Sequence, residues 1–396
     1  MATTSWPISC RLRGAGTHRA RLPDRMSGIT DAAQGQQAEF RDILAVLLAQ
    51  RDLSPAMAGI AFEQIMDGAV GEIPLAAFLT ALHIRGETVT ELHAAVRAAR
   101  ARMLAVPGMP AGALDVCGTG GDGLGTLNVS TAVAFVLAAL GVPVAKHGNR
   151  ALSSRSGATD VLLELGVPLP VGNAPIGRMM DACGVTFLAA TNHHPAMRHF
   201  AAVRRGLGFR TIFNLIGPLC NPAGVTRQLV GVFSPQWLEV MVKTLHEAGS
   251  DRVWAVSGAC GDSRFVDELT LAGPTRACVL EDGQIHNLTV WPEQTGLEPA
   301  PIDAIAGGTP AHNARVMREL AQGARGAYRD TVLLNAAVAL HVAQRGDNII
   351  HGGAIDYAAL RGNIAMAADV LDRGAVLAVL DAVRSFRVDE PNRVTG

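Results

Sequence analysis

A glycine-rich stretch constrains this chain more than any other feature. It reads DVCGTGGDGLGTLNVST from Asp115 to Thr131, and five of its residues are glycine. The apolar run ALDV before it predicts a short strand, and STAVAFVLAALG after it predicts a helix. Glycines let successive backbone N–H groups converge on oxygen atoms, and the start of a helix adds its dipole. The sequence therefore predicts a site for a phosphate or a diphosphate, built on a strand–loop–helix unit.

The loop does not match the two commonest phosphate-binding patterns. No Lys-Ser or Lys-Thr follows at the spacing of a Walker motif, and no ribose-binding acid follows as in a dinucleotide-binding GxGxxG unit. A plain glycine turn is the alternative interpretation. Asp122 stands inside the loop and repels bare phosphate, which favours a cation or a sugar hydroxyl beside the anion.

A second polar segment, KHGNRALSSRSGATD, runs from Lys146 to Asp160 and begins where the strand-like run VPVA ends. Lys146 is one of only two lysines in the chain, the other being Lys243, although Lys and Arg together number 34. A lysine is a compact point charge that arginine cannot always replace. The segment therefore predicts a second anion-binding loop, with an ordinary basic loop as the alternative.

The hydrophobic pattern divides the chain into three parts. Residues 1–37 hold five arginines, little acid and no apolar period, which is typical of an unstructured tail and broadly resembles a transit peptide. We expect this tail to be dispensable, with Met26 as an alternative start. Residues 38–105 keep a helical period, and residues 106–392 alternate strand-like and helix-like segments. The predicted fold class is α/β, with a mainly parallel central sheet flanked by helices and a small all-helical N-terminal domain, which helices near 192–210 are expected to join.

Local signals predict several element boundaries. Ser54-Pro55 predicts a helix start, and Thr88 with Glu91 predicts a capping box. Asp282-Gly283 lies between two β-like runs and predicts a hairpin. The runs 329–346 and 354–383 predict closing helices.

Composition disfavours several classes of function. The formal net charge is −1 and aromatic residues make up 4%, so the chain offers neither a global field for nucleic acid nor many stacking platforms. No apolar run reaches the roughly 18 residues that a membrane span needs. The six cysteines are scattered without metal-binding spacing, which is typical of free thiols in a reducing compartment. We therefore expect a cytoplasmic protein that binds neither nucleic acid nor a membrane.

The motifs GTGGD, NVST, KHGNR and SSRSG occur here in an order and spacing that resemble the anthranilate phosphoribosyltransferase family of tryptophan biosynthesis. Downstream, NHHPAM (192–197), RTIFNLIGPLCNP (210–222) and DEL (267–269) fit the same family, and the resemblance spans roughly residues 40–385. It implies an enzyme that transfers a phosphoribosyl group from phosphoribosyl diphosphate to the amino group of anthranilate and releases diphosphate. It also implies a homodimer formed through the helical domain.

The resemblance assigns the phosphoribosyl diphosphate to the two glycine-containing loops. The positions that match the family's contacts in the first loop are Gly118, Gly121, Asp122, Thr126, Asn128, Val129, Ser130 and Thr131. Those in the second loop are Lys146, His147, Gly148, Asn149, Arg150, Ala151, Leu152, Ser153, Ser154 and Ala158. Lys146 and Arg150 are expected to stabilise the departing diphosphate, so catalysis rests on positioning and charge stabilisation. No convincing general base stands out, and His147 is the nearest candidate.

The resemblance also assigns a metal site and an acceptor site. It implies two Mg²⁺ ions, with Ser130, Asp267 and Glu268 at the metal positions, although an adjacent Asp-Glu pair alone is most often a solvated acidic turn. The positions that match anthranilate contacts are Gly118, Asn149, His193, Pro195 and Arg204. A guanidinium can bind both oxygens of a carboxylate, which suits Arg204, although a surface helical arginine is the alternative.

Four positions depart from the family pattern. Ala158 stands where a serine usually contacts the phosphoribosyl ligand, so one hydroxyl is missing there. Ala189 and Thr191 replace the usual Phe and Pro, which predicts a wider aryl-acid channel, and Gly206 replaces a usual Glu. Two rival functions stay open on the sequence alone. One is an enzyme like the pyrimidine nucleoside phosphorylases, and the other is a non-catalytic paralogue that binds nucleic acid.

Overall fold

The computed structural model describes residues 39–150, 156–261 and 263–388. The predicted tail 1–37 lies outside the described residues, and so do Ala151, Leu152, Ser153 and Ser154.

The N-terminal part of the described chain is helical, as the sequence predicts. Its helices are α1 (39–48), α2 (Pro55–Met66), α3 (Glu72–Arg85) and α4 (Val89–Arg100). The Ser54 hydroxyl accepts a hydrogen bond from the N–H of Met57, and Pro55 occupies the first turn. The Thr88 hydroxyl accepts the N–H of Glu91 while the Glu91 carboxylate accepts the N–H of Thr88, so both predicted caps are confirmed.

A later segment packs into the core of this helical unit. It comprises α8 (Ala190–His193), α9 (Ala201–Leu207) and two 3₁₀ turns, Pro195–Phe200 and Ile212–Asn214. The rings of Phe200 and Phe213 stack 4.0 Å apart, and Phe213 meets Phe62 of α2 edge to face at 6.3 Å. Aromatic contacts of this kind add to the burial of apolar area, so they fix this segment against α2.

The second part of the fold is built on an eight-stranded sheet. Its strands are β1 (Leu114–Gly118), β2 (Val144–Gly148), β3 (Val185–Ala189), β4 (Arg227–Gly231), β5 (Arg252–Ala259), β6 (Phe265–Val266), β7 (Thr275–Glu281) and β8 (Gln284–Val290). The order is β3-β2-β1-β4-β5-β7-β8, with β6 paired to β5. The first five strands of this order are parallel, and β6, β7 and β8 pair antiparallel. The predicted mainly parallel sheet is confirmed.

Helices cover both faces of the sheet. They are α5 (Val129–Ala139), α6 (Ala158–Glu164), α7 (Asn173–Cys183), α10 (Leu238–Glu247), α11 (Pro310–Ala321), α12 (Ala327–Val342), α13 (Tyr357–Asp372) and α14 (Ala375–Ser385). Three 3₁₀ turns, Pro235–Trp237, Pro292–Gln294 and Ile302–Ile305, and a small ladder of β9 (Ile350–His351) with β10 (Ala354–Ile355) complete the described elements. Most residues of α5 and α12 are buried, so both helices lie in the core.

The predictions of a hairpin and of closing helices are both confirmed. Glu281 pairs with Gln284, and the two turn residues Asp282 (φ 48°) and Gly283 (φ 71°) both adopt the left-handed region that a tight hairpin turn needs. The run 354–383, predicted to be helical, begins with β10 and then forms α13 and α14. Gly374, at φ 74°, separates the two helices because this conformation cannot continue a right-handed helix.

Parallel strands place both predicted loops at one edge of the sheet. Gly118 at the end of β1 pairs with Gly231 of β4, and Gly148 at the end of β2 pairs with Ala189 of β3. Ligands of open parallel sheets bind outside the carboxyl ends of the strands, so this edge holds the candidate site. In the described parts of the chain, no helix is both long enough and apolar enough to cross a membrane.

Candidate active site

The first glycine loop encloses a carboxylate. A Cβ atom at Gly118 would lie 2.4 Å from Oδ2 of Asp267, so only glycine fits at this strand end. The N–H of Gly120 donates to the same Asp267 oxygen at 2.7 Å. Asp267 follows β6, and the fold brings it across 147 residues of sequence to the loop. The loop therefore presents backbone N–H groups to negative charge, as the glycine pattern predicts.

The start of α5 holds a second carboxylate in a similar way. The N–H of Ser130 donates to Oε1 of Glu268 at 3.1 Å, where the helix dipole favours negative charge. Tyr328 of α12 donates its hydroxyl to the carbonyl of Asn128 at 3.2 Å, and Asn313 donates to the Asn128 side chain. These contacts fix the residue that precedes the helix. The neighbouring predicted residues are Thr126, which bridges to Ala306, and Val129 and Thr131, which are buried.

Asp267 and Glu268 form a partly buried acidic pair beside Asp122. Burial raises the pKa of Asp267 above its ordinary value, and repulsion by Asp122 raises it further. Burial and repulsion by Asp267 act in the same direction on the pKa of Glu268. Neighbouring carboxylates destabilise one another's ionised forms. A bound cation would relieve this repulsion, so the cluster favours a cation site.

The donor set fits Mg²⁺ that shares its ligands with a substrate. Among the described residues, no group of three His, Cys, Asp or Glu side chains is placed to hold a metal ion by itself. Mg²⁺ binds through one or two carboxylates and completes its shell with water and substrate phosphate oxygens. Asp267, Glu268 and the Ser130 hydroxyl are oxygen donors of this kind, and they converge on the phosphate loop.

Lys146 connects the two loops. Its side chain is buried, and Nζ donates to the carbonyl of Val116 at 2.5 Å and to the hydroxyl of Ser130 at 3.1 Å. The charge therefore lies under the start of α5, next to the predicted metal residue. The predicted point charge is at the site, held between β1 and α5 rather than extended into solvent.

Asp115 and Asn221 support this arrangement, and sequence reasoning missed both. Asp115 is fully buried in β1, accepts the N–H of His147 at 3.0 Å, and accepts Nδ2 of Asn221 at 2.8 Å. Burial raises the pKa of Asp115, while the Lys146 charge and these hydrogen bonds oppose that rise. A charged residue inside the apolar strand ALDV was the available signal, because a buried carboxylate requires partners.

His147 is a structural residue in this arrangement. Its Nδ1 lies 3.1 Å from the carbonyl oxygen of Gly217, which only accepts, so Nδ1 carries the proton. Its Nε2 lies 3.2 Å from Nε2 of His194, which must then donate. Burial lowers the pKa of His147 to about 3 and that of His194 to about 4. A base with so low a pKa and no free lone pair does not suit proton abstraction.

The buried histidine pair predicts acid-sensitive folding. The pKa of histidine in the unfolded chain is about 6.5. Between this pH and the lower pKa values of the native pair, the unfolded chain binds protons that the native protein does not bind. Stability is then full above pH 6.5 and falls as the pH drops toward 4, by about 1.4 kcal/mol per pH unit for each histidine. We expect His194→Asn to reduce the slope of unfolding free energy between pH 6 and 5 by about that amount in urea titrations. An unchanged slope in His194→Asn would contradict the account.

The second loop is described at its two ends. Asn149 and Arg150 are exposed, and the Asn149 side chain accepts the N–H of Arg150 at 2.8 Å. A Cβ at Gly148 would lie 3.3 Å from Cβ of Ala158, so the two ends approach closely. The side chain of Ala158 therefore lies close to the end of β2.

The residues that replace bulkier ones lie in different surroundings. Ala189 is buried and lines a cavity of about 10 Å³ beside Lys146 and Ala158, large enough for about one water molecule. Thr191 is exposed. A wider channel for the aryl acid at Ala189 and Thr191 therefore stays a prediction.

The predicted anthranilate residues come from the segment that packs on the helical unit. His193 is buried, with Nδ1 3.0 Å from the carbonyl oxygen of Leu104. Pro195 is exposed. Arg204 lies on α9 with its guanidinium carbon 5.8 Å from the centre of the Phe213 ring, and burial lowers its pKa from the ordinary value. In the described chain no acid or carbonyl pairs with Arg204, so its donors are available to a ligand.

Comparisons with known proteins agree with this architecture. Residues 41–103 match the glycosyl transferase family, helical bundle domain, and residues 111–377 match the glycosyl transferase family, a/b domain. The fold and the site thus define a glycosyl transferase with a helical bundle joined to an α/β domain. Among curated relatives, the anthranilate phosphoribosyltransferase of Gluconobacter oxydans (strain 621H) is 56% identical over 348 residues, covering 88% of this chain and 95% of that protein. The chain belongs to the anthranilate phosphoribosyltransferase family.

Two solved structures extend the comparison. The anthranilate phosphoribosyltransferase of Thermus thermophilus is 38% identical, with a TM-score of 0.77, and covers 87% of this chain and 99% of its own. The Saccharomyces cerevisiae enzyme, solved in complex with PRPP and Mg, is 26% identical, with a TM-score of 0.74, and covers 87% of this chain and 97% of its own.

Proposed function

We propose that this chain transfers the phosphoribosyl group of phosphoribosyl diphosphate to the amino group of anthranilate, a step of tryptophan biosynthesis. The bond from ribose C1 to the diphosphate oxygen breaks, a bond from C1 to nitrogen forms, and the nitrogen loses a proton to water. The observation that carries the proposal is the juxtaposition of a bare glycine loop with Asp267, Glu268 and Ser130 at the strand ends. Such a site suits a diphosphate that arrives with a divalent cation.

The first loop and the start of α5 form the proposed binding site for the diphosphate. Gly118, Gly121 and the 128–131 segment would border the diphosphate, and Asp122 suits a ribose hydroxyl or a cation. The N–H of Ser130 is used by Glu268, so this residue would contribute its hydroxyl. The second loop, from Lys146 to Ser154 with Ala158, is the proposed second set of contacts to the same ligand. Lys146 and Arg150 supply positive charge for the leaving group, although Lys146 acts from its buried position through the Ser130 hydroxyl.

Mg²⁺ is the proposed cofactor, and two ions are expected. Ser130, Asp267 and Glu268 are the residues that would hold it. When bound, Mg²⁺ supplies charge that stabilises the departing diphosphate. The chain's own contribution is to hold these oxygen donors rigidly, since the carboxylates are already positioned by the N–H groups of Gly120 and Ser130.

The proposed acceptor site lies between the second loop and α9. Arg204 is the proposed carboxylate partner, because it is half-buried and has no partner in the described residues. Asn149, Gly118, His193 and Pro195 are the other proposed contacts. The aryl amine is neutral near pH 7, so attack requires orientation rather than a base, which agrees with the low pKa of His147.

Removing Arg204 tests the acceptor site. We expect Arg204→Ala to raise KM for anthranilate about 30-fold, which is about 2 kcal/mol for lost charge-assisted hydrogen bonds. The KM for phosphoribosyl diphosphate should change less than about twofold. Steady-state kinetics with each substrate varied in turn gives both values. Arg205→Ala, an exposed neighbour on the same helix, is the matched control. Equal changes in the two KM values would contradict the assignment.

The reaction itself is tested by the fluorescence of anthranilate. Purified protein with phosphoribosyl diphosphate and Mg²⁺ should consume anthranilate, and EDTA should stop the consumption. Uridine with phosphate, the substrates of the rival phosphorylase reaction, should give no turnover. Persistence of the fluorescence with Mg²⁺ present would overturn the proposed function.

A homodimer through the helical unit is also proposed. Ile73 (86% exposed) and Ile84 (69%) lie three turns apart on one face of α3, and Leu48 (66%) lies on α1. The two helices adjoin, because the rings of Phe40 and Phe78 lie 5.3 Å apart. Exposed apolar side chains grouped on neighbouring helices favour a subunit contact. Sedimentation should give twice the monomer mass for the native chain and the monomer mass for Ile73→Glu/Ile84→Glu.

The predicted domain boundaries, 38–105 and 106–392, and the cytoplasmic location stay predictions. Limited proteolysis followed by mass spectrometry tests the domain boundary, and we expect cleavage between residues 101 and 112.

A further inference from the structure

We infer that Arg210 is a further substrate-binding residue, which holds the diphosphate of phosphoribosyl diphosphate from the helical side of the site. The inference deepens the proposed function and rests on it. It concerns a side chain that neither the motifs nor the family resemblance assigned a role.

The segment that carries Arg210 belongs to the helical unit. Gly208, in the left-handed conformation, ends α9, and the ring of Phe209 lies 4.7 Å from that of His83 on α3. Phe213, three residues after Arg210, packs on Phe62 and Phe200. Arg210 is thus fixed on both sides by aromatic contacts with the helical core.

The guanidinium crosses from this segment to the sheet edge. Its carbon lies 4.3 Å from the centre of the Phe233 ring, just beyond the end of β4. Phe233 is tied to the glycine loop, because its N–H donates to the Thr119 hydroxyl at 3.1 Å, while the N–H of Thr119 donates to the carbonyl of Gly231 at 2.9 Å. The aromatic platform under Arg210 is therefore part of the phosphate-loop framework.

Arg210 lies directly against the first loop. A Cβ atom at Gly121 would be 3.2 Å from Nε of Arg210, so the side chain packs where the loop backbone is bare. Gly121 also has φ 75°, a conformation that other residues rarely adopt. The guanidinium and the loop backbone therefore border the same space.

No protein group uses the donors of Arg210. In the described residues, it forms neither a hydrogen bond nor an ion pair, although Asp122, Asp267 and Glu268 lie around the same loop. Stacking on an aromatic ring leaves the N–H groups in the plane of the guanidinium free to bind oxygen. An arginine fixed in this way beside an anion loop suits a phosphate group.

The geometry favours the diphosphate over the carboxylate of anthranilate as the ligand. Arg210 touches Gly121 of the diphosphate loop, whereas Arg204 lies over a different ring, Phe213, in the helical core. We therefore assign the diphosphate to Arg210 and the carboxylate of anthranilate to Arg204. Because Arg210 comes from the helical side, its contact also joins the two parts of the chain around the leaving group.

Two measurements on purified full-length protein test the inference. Calorimetry with inorganic diphosphate and Mg²⁺ gives the Kd, and steady-state kinetics gives KM for each substrate. We expect Arg210→Ala to weaken diphosphate binding and raise KM for phosphoribosyl diphosphate about 10-fold or more, with KM for anthranilate within about twofold. Arg210→Lys should recover part of the loss, and Phe233→Leu should lose an intermediate amount because the platform is gone. Arg205→Ala, which removes one exposed charge from the same segment, should match the native protein.

Two results would overturn the inference. One is unchanged diphosphate binding in Arg210→Ala with a folded circular-dichroism spectrum, and the other is a larger change in KM for anthranilate than for phosphoribosyl diphosphate. Failure of the proposed function gives a different pattern, in which the native protein binds diphosphate, Arg210→Ala does not, and neither consumes anthranilate.

Discussion

The double variant Asp267→Asn/Glu268→Gln is expected to lose about 10³-fold in kcat/KM while becoming more stable than the native protein without Mg²⁺. The loss follows because amides are poor Mg²⁺ ligands and carry no charge for the departing diphosphate to share through the metal. The gain follows because burial and mutual repulsion raise the pKa values of both acids, so their ionised forms destabilise the fold at pH 8. Thermal unfolding with and without Mg²⁺ measures the second effect.

The matched control removes the same charge at the opposite edge of the sheet. Asp251 and Asp282 are exposed at the ends of β5 and β7 that lie away from the site, and Asp251→Asn/Asp282→Asn should keep native kinetics. Added Mg²⁺ with diphosphate should raise Tm of the native protein and of this control, and should leave Tm of the Asp267/Glu268 variant unchanged. Native activity in the Asp267/Glu268 variant would contradict the metal assignment.

Gly118→Ala is expected to lower kcat/KM about 10²-fold, since displacements of about 1 Å at a reacting site cost that much. The new methyl group would lie 2.4 Å from Oδ2 of Asp267, well inside van der Waals contact. The Asp267 carboxylate must then lose its hydrogen bond from the N–H of Gly120. This displaces a proposed metal ligand and opens the loop. Steady-state kinetics should show the loss mainly in kcat, with a higher Mg²⁺ concentration needed for half-maximal rate.

Gly177→Ala is the control for the same exchange. Gly177 lies inside α7, and a Cβ there would meet nothing within 4 Å. Alanine inside a helix is preferred over glycine by about 1 kcal/mol, so this variant should be more stable and fully active. Native activity in Gly118→Ala would show that the close approach of Gly118 to Asp267 has no part in the reaction.

Local signals predicted those parts of the fold that depend on neighbours in sequence. The caps at Ser54 and Thr88 and the hairpin at Asp282 involve atoms a few residues apart, and all are present. The helical run 354–383 is divided at Gly374, whose left-handed conformation separates α13 from α14. Helix α7 was not predicted, since an isolated glycine and a proline interrupt its apolar pattern.

The chemistry of the site could be predicted from motifs, and its supporting residues could not. The glycine loop indicated an anion site because exposure of the backbone follows from the residue type itself. Asp115 and Asn221 lie 106 residues apart, and nothing in either neighbourhood indicates the other. The same holds for Arg210 and Phe233, which come from separate segments and meet only when the strand ends converge.

Lys146 illustrates how the fold changes the meaning of a correct prediction. Its rarity indicated a functional charge, and the structure places it beside the candidate site, but two of its three donors are used by Val116 and Ser130. Its charge reaches the ligand through the helix start that it supports. The sequence predicts that a positive charge is present, but only the tertiary structure shows which groups that charge contacts.

Mass analysis of the product tests the central claim most directly. Protein, anthranilate, Mg²⁺ and phosphoribosyl diphosphate are mixed, and the products are identified by mass spectrometry with free diphosphate assayed in parallel. The account predicts one phosphoribosyl-anthranilate conjugate for each diphosphate released, and none when EDTA is present. Release of diphosphate without the conjugate, or no reaction in the presence of Mg²⁺, would contradict it.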